Sequence, residues 1–177
     1  QETVRYYSRL VERLEDINKT LRDIDGLTNT AVMETSPCFW FFSNQTNNKF
    51  ELEDVHQKTT ALWLNQLPFI WLALHIPKEE IKDGGNIRWG YALDTKYKDV
   101  ASILDATKKD ILLPRSCLHT VLRREGNAPL SVRCLQKLFF TLTGQTLEPK
   151  GDIVGWILNE DTSGAEVCRY FELWFPV

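Results

Sequence analysis

Phe69-Ile70-Trp71-Leu72-Ala73-Leu74-His75-Ile76 lies between Pro68 and Pro77 and is almost wholly apolar. A run of this length, bounded by residues that break regular structure, predicts a central strand buried on both faces of a sheet. Downstream, Pro77-Lys78-Glu79-Glu80 predicts a helical turn with proline at its first position, ended by Gly84-Gly85. Ile87, Trp89, Tyr91 and Leu93 then alternate with Arg88, Gly90, Ala92 and Asp94, the cleanest period-two strand of the chain.

Upstream, Ser36-Pro37 introduces Cys38-Phe39-Trp40-Phe41-Phe42, an aromatic run suited to a buried strand. Ser43 to Lys49 reads as a polar turn, and the alternation from Phe50 to Val55 predicts the second arm of a hairpin. Thr59 to Leu67 has room for one or two helical turns. Past the central strands, Asp94 or Thr95 can cap a helix carrying Tyr97, Val100, Ala101 and Leu104. Ile111 to Pro114 reads as a short extended piece. In Ser116 to Arg124, Leu118 with Leu122 and Cys117 with Val121 favour a helix, ended by Gly126. A second helix runs from about Pro129 to Thr143, with Leu130, Cys134, Leu135, Leu138, Phe139 and Leu142 as its stripe and Gly144 as its stop. Asp152 to Asn159 and Glu166 to Phe175 form a terminal hairpin around Glu160 to Gly164.

The N-terminal stretch follows a different rule. Tyr7, Leu10, Leu14, Ile17, Leu21 and Ile24 are spaced alternately three and four apart, a heptad seam that predicts a helix mediating oligomerisation or partner docking. With Tyr7, Leu14 and Leu21 at a, and Leu10, Ile17 and Ile24 at d, the b, c and f sites are polar or charged. The e and g sites carry Val4, Val11, Asn18, Tyr6, Arg13, Thr20 and Leu27, a stripe wider than a simple two-stranded coil needs. Such a helix suits a heteromeric partner, a larger bundle or the chain's own sheet.

These readings sum to an α+β fold: a mainly antiparallel sheet of about five or six strands with helices packed on one side, preceded by the amphipathic heptad helix. Residues 1–27 form the coil-like helix, 28–36 a connector and 37–177 a single globular domain. A coil ahead of a small α+β head resembles the layout of RWD-type subunits of kinetochore and related scaffolds, which implies an assembly role.

Composition narrows the function classes. A net charge of −3 and a pI near 5.7 disfavour a broadly basic nucleic-acid face. Ala61 to Ile76 is too short and too interrupted to span a bilayer. A chain starting at Gln1 without a charged-then-apolar leader reads as an excised or processed piece. The four cysteines stand singly, as reduced thiols do, which places the chain inside the cell, in cytoplasm or nucleus.

Chemical signatures are weak. Asp23-x-Asp25-Gly26 with Glu34 imitates a calcium loop, but Leu27 and Thr28 fall where that loop needs an oxygen ligand and a glycine. Cys117-Leu118-His119 would point apart on a helix and together on a strand, with no orienting carboxylate legible nearby. No phosphate-binding glycine loop is present. The Asn18-Lys19-Thr20 and Asn44-Gln45-Thr46 tripeptides match the N-glycosylation pattern at a frequency that chance explains.

No catalytic residue, cofactor or metal ligand is assigned. Lys96, Lys98, Lys108, Lys109, Arg115, Arg123, Arg124, Arg133 and Lys137 give residues 96–137 a local positive excess and a candidate basic face. The expectation is therefore a non-enzymatic interaction or scaffold module, a subunit of a larger assembly that meets a protein partner or a second copy through Tyr7, Leu10, Leu14, Ile17, Leu21 and Ile24. A nucleic-acid binder using the basic face is the second expectation. An enzyme whose site is assembled from distant residues is the third, which a pocket with convergent polar groups would revive.

Overall fold

In the computed structural model, the described residues are 2–28, 30–43, 54–82, 84–101, 104–105, 107–126, 129–148 and 150–177. The elements are α1 (Glu2–Leu27), β1 (Val32–Thr35), β2 (Phe39–Ser43), α2 (Asp54–Leu64), β3 (Ile70–Ile76), α3 (Lys78–Ile81), β4 (Arg88–Asp94), β5 (Asp110–Leu112), β6 (Ser116–Glu125), α4 (Val132–Thr143), β7 (Ile153–Asp161) and β8 (Cys168–Pro176). The strands form one antiparallel sheet in the order β1-β6-β8-β7-β3-β4-β2-β5. The α+β class and the leading helix are as expected, but the sheet has eight strands, not five or six.

The extra strands have physical explanations. β6 read as a helix because Cys117 to Val121 are buried in succession, polar His119 and Thr120 included, so the apolar residues do not alternate. β1 lies within the expected connector, where four exposed residues offer no periodic signal. The hairpin expected between 37–42 and 50–55 falls partly outside the described residues. β2 instead pairs with β4 and β5, and residue 54 already opens α2. The helix expected after Asp94 shortens to a 3-10 turn, Thr95–Tyr97, which Asp94 caps by accepting from the Lys96 N–H.

One sheet face is closed by α2, α3 and α4. Ser131 accepts from the Cys134 N–H at the start of α4, and Gly144, at φ 70°, ends it. Leu135 and Phe139 of α4 and Ile81 of α3 meet Leu74, Ile76, Leu118, Leu173 and Phe175 from the sheet. Trp63 of α2, fully buried, stacks on Phe42 at 5.7 Å in a second cluster with Trp40, Phe69, Leu93 and Tyr97. β2 and β4 approach so closely that a Cβ at Gly90 would lie 1.9 Å from the Phe42 carbonyl oxygen.

The opposite face is built differently. Phe39, Phe41, Trp71, Trp156 and Trp174 share it with His75, His119 and Glu172. α1 is not a coil projecting from a head: it lies over this face. At one end Tyr6 meets Phe69 edge-on at 5.7 Å, and at the other Thr28 bridges in parallel to Val121 of β6.

Candidate functional site

α1 divides the heptad seam between two surfaces. Leu10, Arg13, Ile17, Thr20, Ile24 and Leu27, the d and g positions, are buried or half-buried toward the sheet. Val4, Tyr7, Val11, Leu14 and Leu21, from the a and e positions, remain 39–70% exposed. Of the six predicted association residues, three therefore face inward and three outward.

Polar contacts flank the inner face, where Leu10 also packs against the cluster of Trp63 and Phe69. Arg5 and Arg9 donate through Nε to Asp99 Oδ2 at 3.0 and 3.1 Å. Tyr97 Oη donates to Asp16 Oδ2 at 2.6 Å, and Lys96 pairs with the same oxygen. Although burial works against ionisation, the hydrogen bonds from Lys96 and Tyr97 hold the Asp16 carboxyl below its ordinary pKa, and those from Arg9 and Arg5 do the same for Asp99. Burial, reinforced by Asp16, pushes the Tyr97 hydroxyl far above its usual value.

Arg13, 4% exposed, is the one buried residue of α1. Its Nε donates to the Pro68 carbonyl at 2.9 Å, and its guanidinium stands 4.0 Å above the Trp71 ring centre. Burial lowers its pKa.

Beneath α1 the sheet supplies an aromatic floor. Strand register sets Ala73 opposite Trp156, Trp156 opposite Glu172, and Val154 and His119 opposite Trp174, so one face carries all these side chains. His119 stacks on Trp174 with centroids 3.9 Å apart and planes 4° from parallel. Trp156 stands 6.1 Å from Trp71 and 6.3 Å from Trp174. His119 Nε2 is 2.7 Å from Glu172 Oε1, both residues being buried, and its Nδ1 is 3.3 Å from Glu34 Oε2.

Between this floor and α1 lies a cavity of about 660 Å³. Three buried donors among its walls, Arg13 Nη2, Trp156 Nε1 and Trp174 Nε1, have no hydrogen-bond partner among the described residues, and neither has the ring nitrogen His119 Nδ1. Buried donors are normally satisfied, and an unmatched one costs about 1–3 kcal/mol. The cavity is therefore lined by residues with unsatisfied polar groups that the sequence did not disclose.

Cys117 does share a strand face with His119, but the imidazole Nε2 is taken up by Glu172, and Nδ1 faces Glu34 at 3.3 Å rather than the thiol. Burial raises the thiol's pKa despite its contact with Ser36. His75 Nε2 ties β3 to Asp152 at 3.0 Å, and the side chain of His56 lies outside the described residues. Among the described residues no group of three His, Cys, Asp and Glu is placed to hold a metal ion, and no helix is long and apolar enough to cross a membrane. All four cysteines are free thiols.

The basic residues spread over several elements. Lys96 is engaged with Asp16. Lys109 donates to the Leu104 carbonyl and lies 4.1 Å over Trp40. Arg115 reaches the Lys150 carbonyl, Arg123 pairs with Glu125, and Arg124 contacts Cys134. Lys98, Lys108, Arg133 and Lys137 are exposed, the first two in the loop after β4 and the last two on α4.

The residues missed in the sequence were Arg13, Trp71, Trp156, Glu172 and Trp174, while His119 was weighed only beside Cys117. Their signal was the shared parity of Glu172 and Trp174 along one strand. The strand order that unites them with Trp71 and Trp156 is not legible in the chain. Comparison with known proteins adds no relative: no family model matches the chain, and a search of curated proteins finds no match.

Proposed function

We propose that this chain is a non-enzymatic interaction module, a subunit of a larger assembly, that docks an amphipathic helix of a protein partner or a second copy on the outer face of α1. The observation that carries the reading is the exposed stripe Val4, Tyr7, Val11, Leu14 and Leu21. With Asn18 these residues repeat the three-four spacing of a seam, although the helix has already used its other face on the sheet. A polar asparagine within an apolar seam is a device for fixing register between paired helices. Because the sheet holds α1 from below, the stripe is presented already ordered, which lowers the entropy lost on docking. Four unpaired thiols accord with an intracellular setting. The nucleic-acid reading lacks comparable support, since much of the positive charge is engaged locally.

The test is the solution mass of the intact chain and of Leu14→Glu, with tryptophan emission checked for an unchanged fold. Self-association that rises with concentration and disappears in the variant supports the second-copy form of the reading. Where the wild type is a monomer, a biotinylated chain is offered helical heptad peptides. Failure of both mass change and peptide capture removes the proposal.

A further inference from the structure

We infer that the space between α1 and the sheet is a binding site for a small, flat, uncharged heterocycle bearing ring carbonyl oxygens and ring N–H groups, the cyclic amide or oxopurine class. Three features select this chemistry independently of the outer stripe.

The unmatched buried groups come first. Arg13 Nη2, Trp156 Nε1 and Trp174 Nε1 are donors without partners among the described residues, so the occupant must bring acceptor oxygens, while His119 Nδ1, also without a hydrogen-bond partner, can take an N–H from it. Glu172 and Glu34 stand beside His119 on the same floor, and carboxylate oxygens offer acceptor sites for an occupant's N–H groups.

Shape is the second feature. Three indoles and an imidazole form the floor, and Trp71 already holds a planar group, the Arg13 guanidinium, at 4.0 Å. Flat rings gain most on such a surface. A volume of about 660 Å³ falls within the range of small-molecule sites.

Charge is the third. Arg, Lys, Asp and Glu side chains are nearly balanced around the cavity, four cationic and five anionic. A flat carboxylate would meet Glu34, Glu172 and Asp94, and a flat cation would meet Arg13, so a neutral ring bearing both donors and acceptors satisfies the walls best.

The experiment is calorimetric titration of the full chain with hypoxanthine, alongside benzoate and benzylamine as a flat anion and a flat cation. Saturable binding of hypoxanthine at one site, tighter than either comparator, is expected. Trp156→Phe and Trp174→Phe each remove one N–H and keep an aromatic ring, and each should weaken binding by about threefold to tenfold. Arg13→Met should weaken it similarly, while Leu14→Glu on the outer face leaves it unchanged, which separates this site from the docking stripe. The inference is overturned if benzoate or benzylamine binds as well as hypoxanthine. Absence of hypoxanthine binding at millimolar concentration, or equal affinity in both phenylalanine variants with near-ultraviolet dichroism retained, overturns it too.

Discussion

α1 and α4 cover opposite faces of one sheet with stripes of the same spacing, yet they are held by different forces. α4 sets Leu135 and Phe139 into an aliphatic and aromatic core. α1 sets Arg13 over an aromatic floor, keeps a cavity beneath itself and leaves half its stripe outside. A helix whose contacts are dense and apolar serves the fold. One that covers a cavity through ion pairs and a buried guanidinium has given up packing for a surface that can be occupied, on the inside and on the outside.

That contrast can be broken by substitution. Phe139→Ala in α4 should destabilise the protein by about 3–5 kcal/mol in denaturant unfolding. Arg13→Ala in α1 should cost about 2 kcal/mol, through loss of the Trp71 contact and the Pro68 hydrogen bond. Arg13→Met, which keeps the stem and ends the desolvation of a charge, should fall within about 1 kcal/mol of wild type. If Arg13→Met proves as harmful as Phe139→Ala, the guanidinium is a keystone of the fold and the contrast fails.

Ser131→Ala removes the α4 cap and should cost about 1 kcal/mol. Acid sharpens the comparison further. Asp16 and Asp99 have folded pKa values below their ordinary ones, so they stabilise the docked α1 at neutral pH and withdraw that support as pH falls through about 4 and below. Asp94, raised by burial, acts with the opposite sign and is relieved on protonation. Amide protection, taken relative to the intrinsic exchange rate at each pH, should therefore fall in α1 before α4 between neutral pH and about pH 3. Equal loss of protection in both helices would show that the carboxylates do not control docking. The smallest effect belongs to Leu14→Ala, which should change unfolding free energy by no more than about 0.5 kcal/mol because the side chain is half exposed.

The C-terminal end of α4 was legible, because the apolar stripe and Gly144 are local signals that tertiary packing did not override, whereas its start, expected at about Pro129, falls at the Ser131 cap. β3, β4, β7 and β8 were legible for the same reason. β6 was not: Leu118 and Leu122, or Cys117 and Val121, stand four apart whether the backbone is helix or strand, and burial on both faces erased the alternation that decides between them. The helix α1 was legible, but which half of its stripe turns inward, with Arg13 buried, was not. A charged residue at a g position gives no sign that it will be buried over an indole. The cavity was illegible because it requires β8-β7-β3 adjacency and a helix from the other end of the chain, both fixed by long-range pairing.

β1 pairs with Ser116 to His119, Thr28 bridges to Val121, and Thr120 Oγ1 donates to the Thr30 carbonyl. Helix, linker and β1 thus seal the outer border of β6. A chain lacking residues 1–35 would present along Ser116–Glu125 a ladder of unpaired backbone N–H and C=O groups, flanked by Val121 and Leu122. Its expected fate is edge-to-edge polymerisation, so the N-terminal segment also acts as a gatekeeper against aggregation.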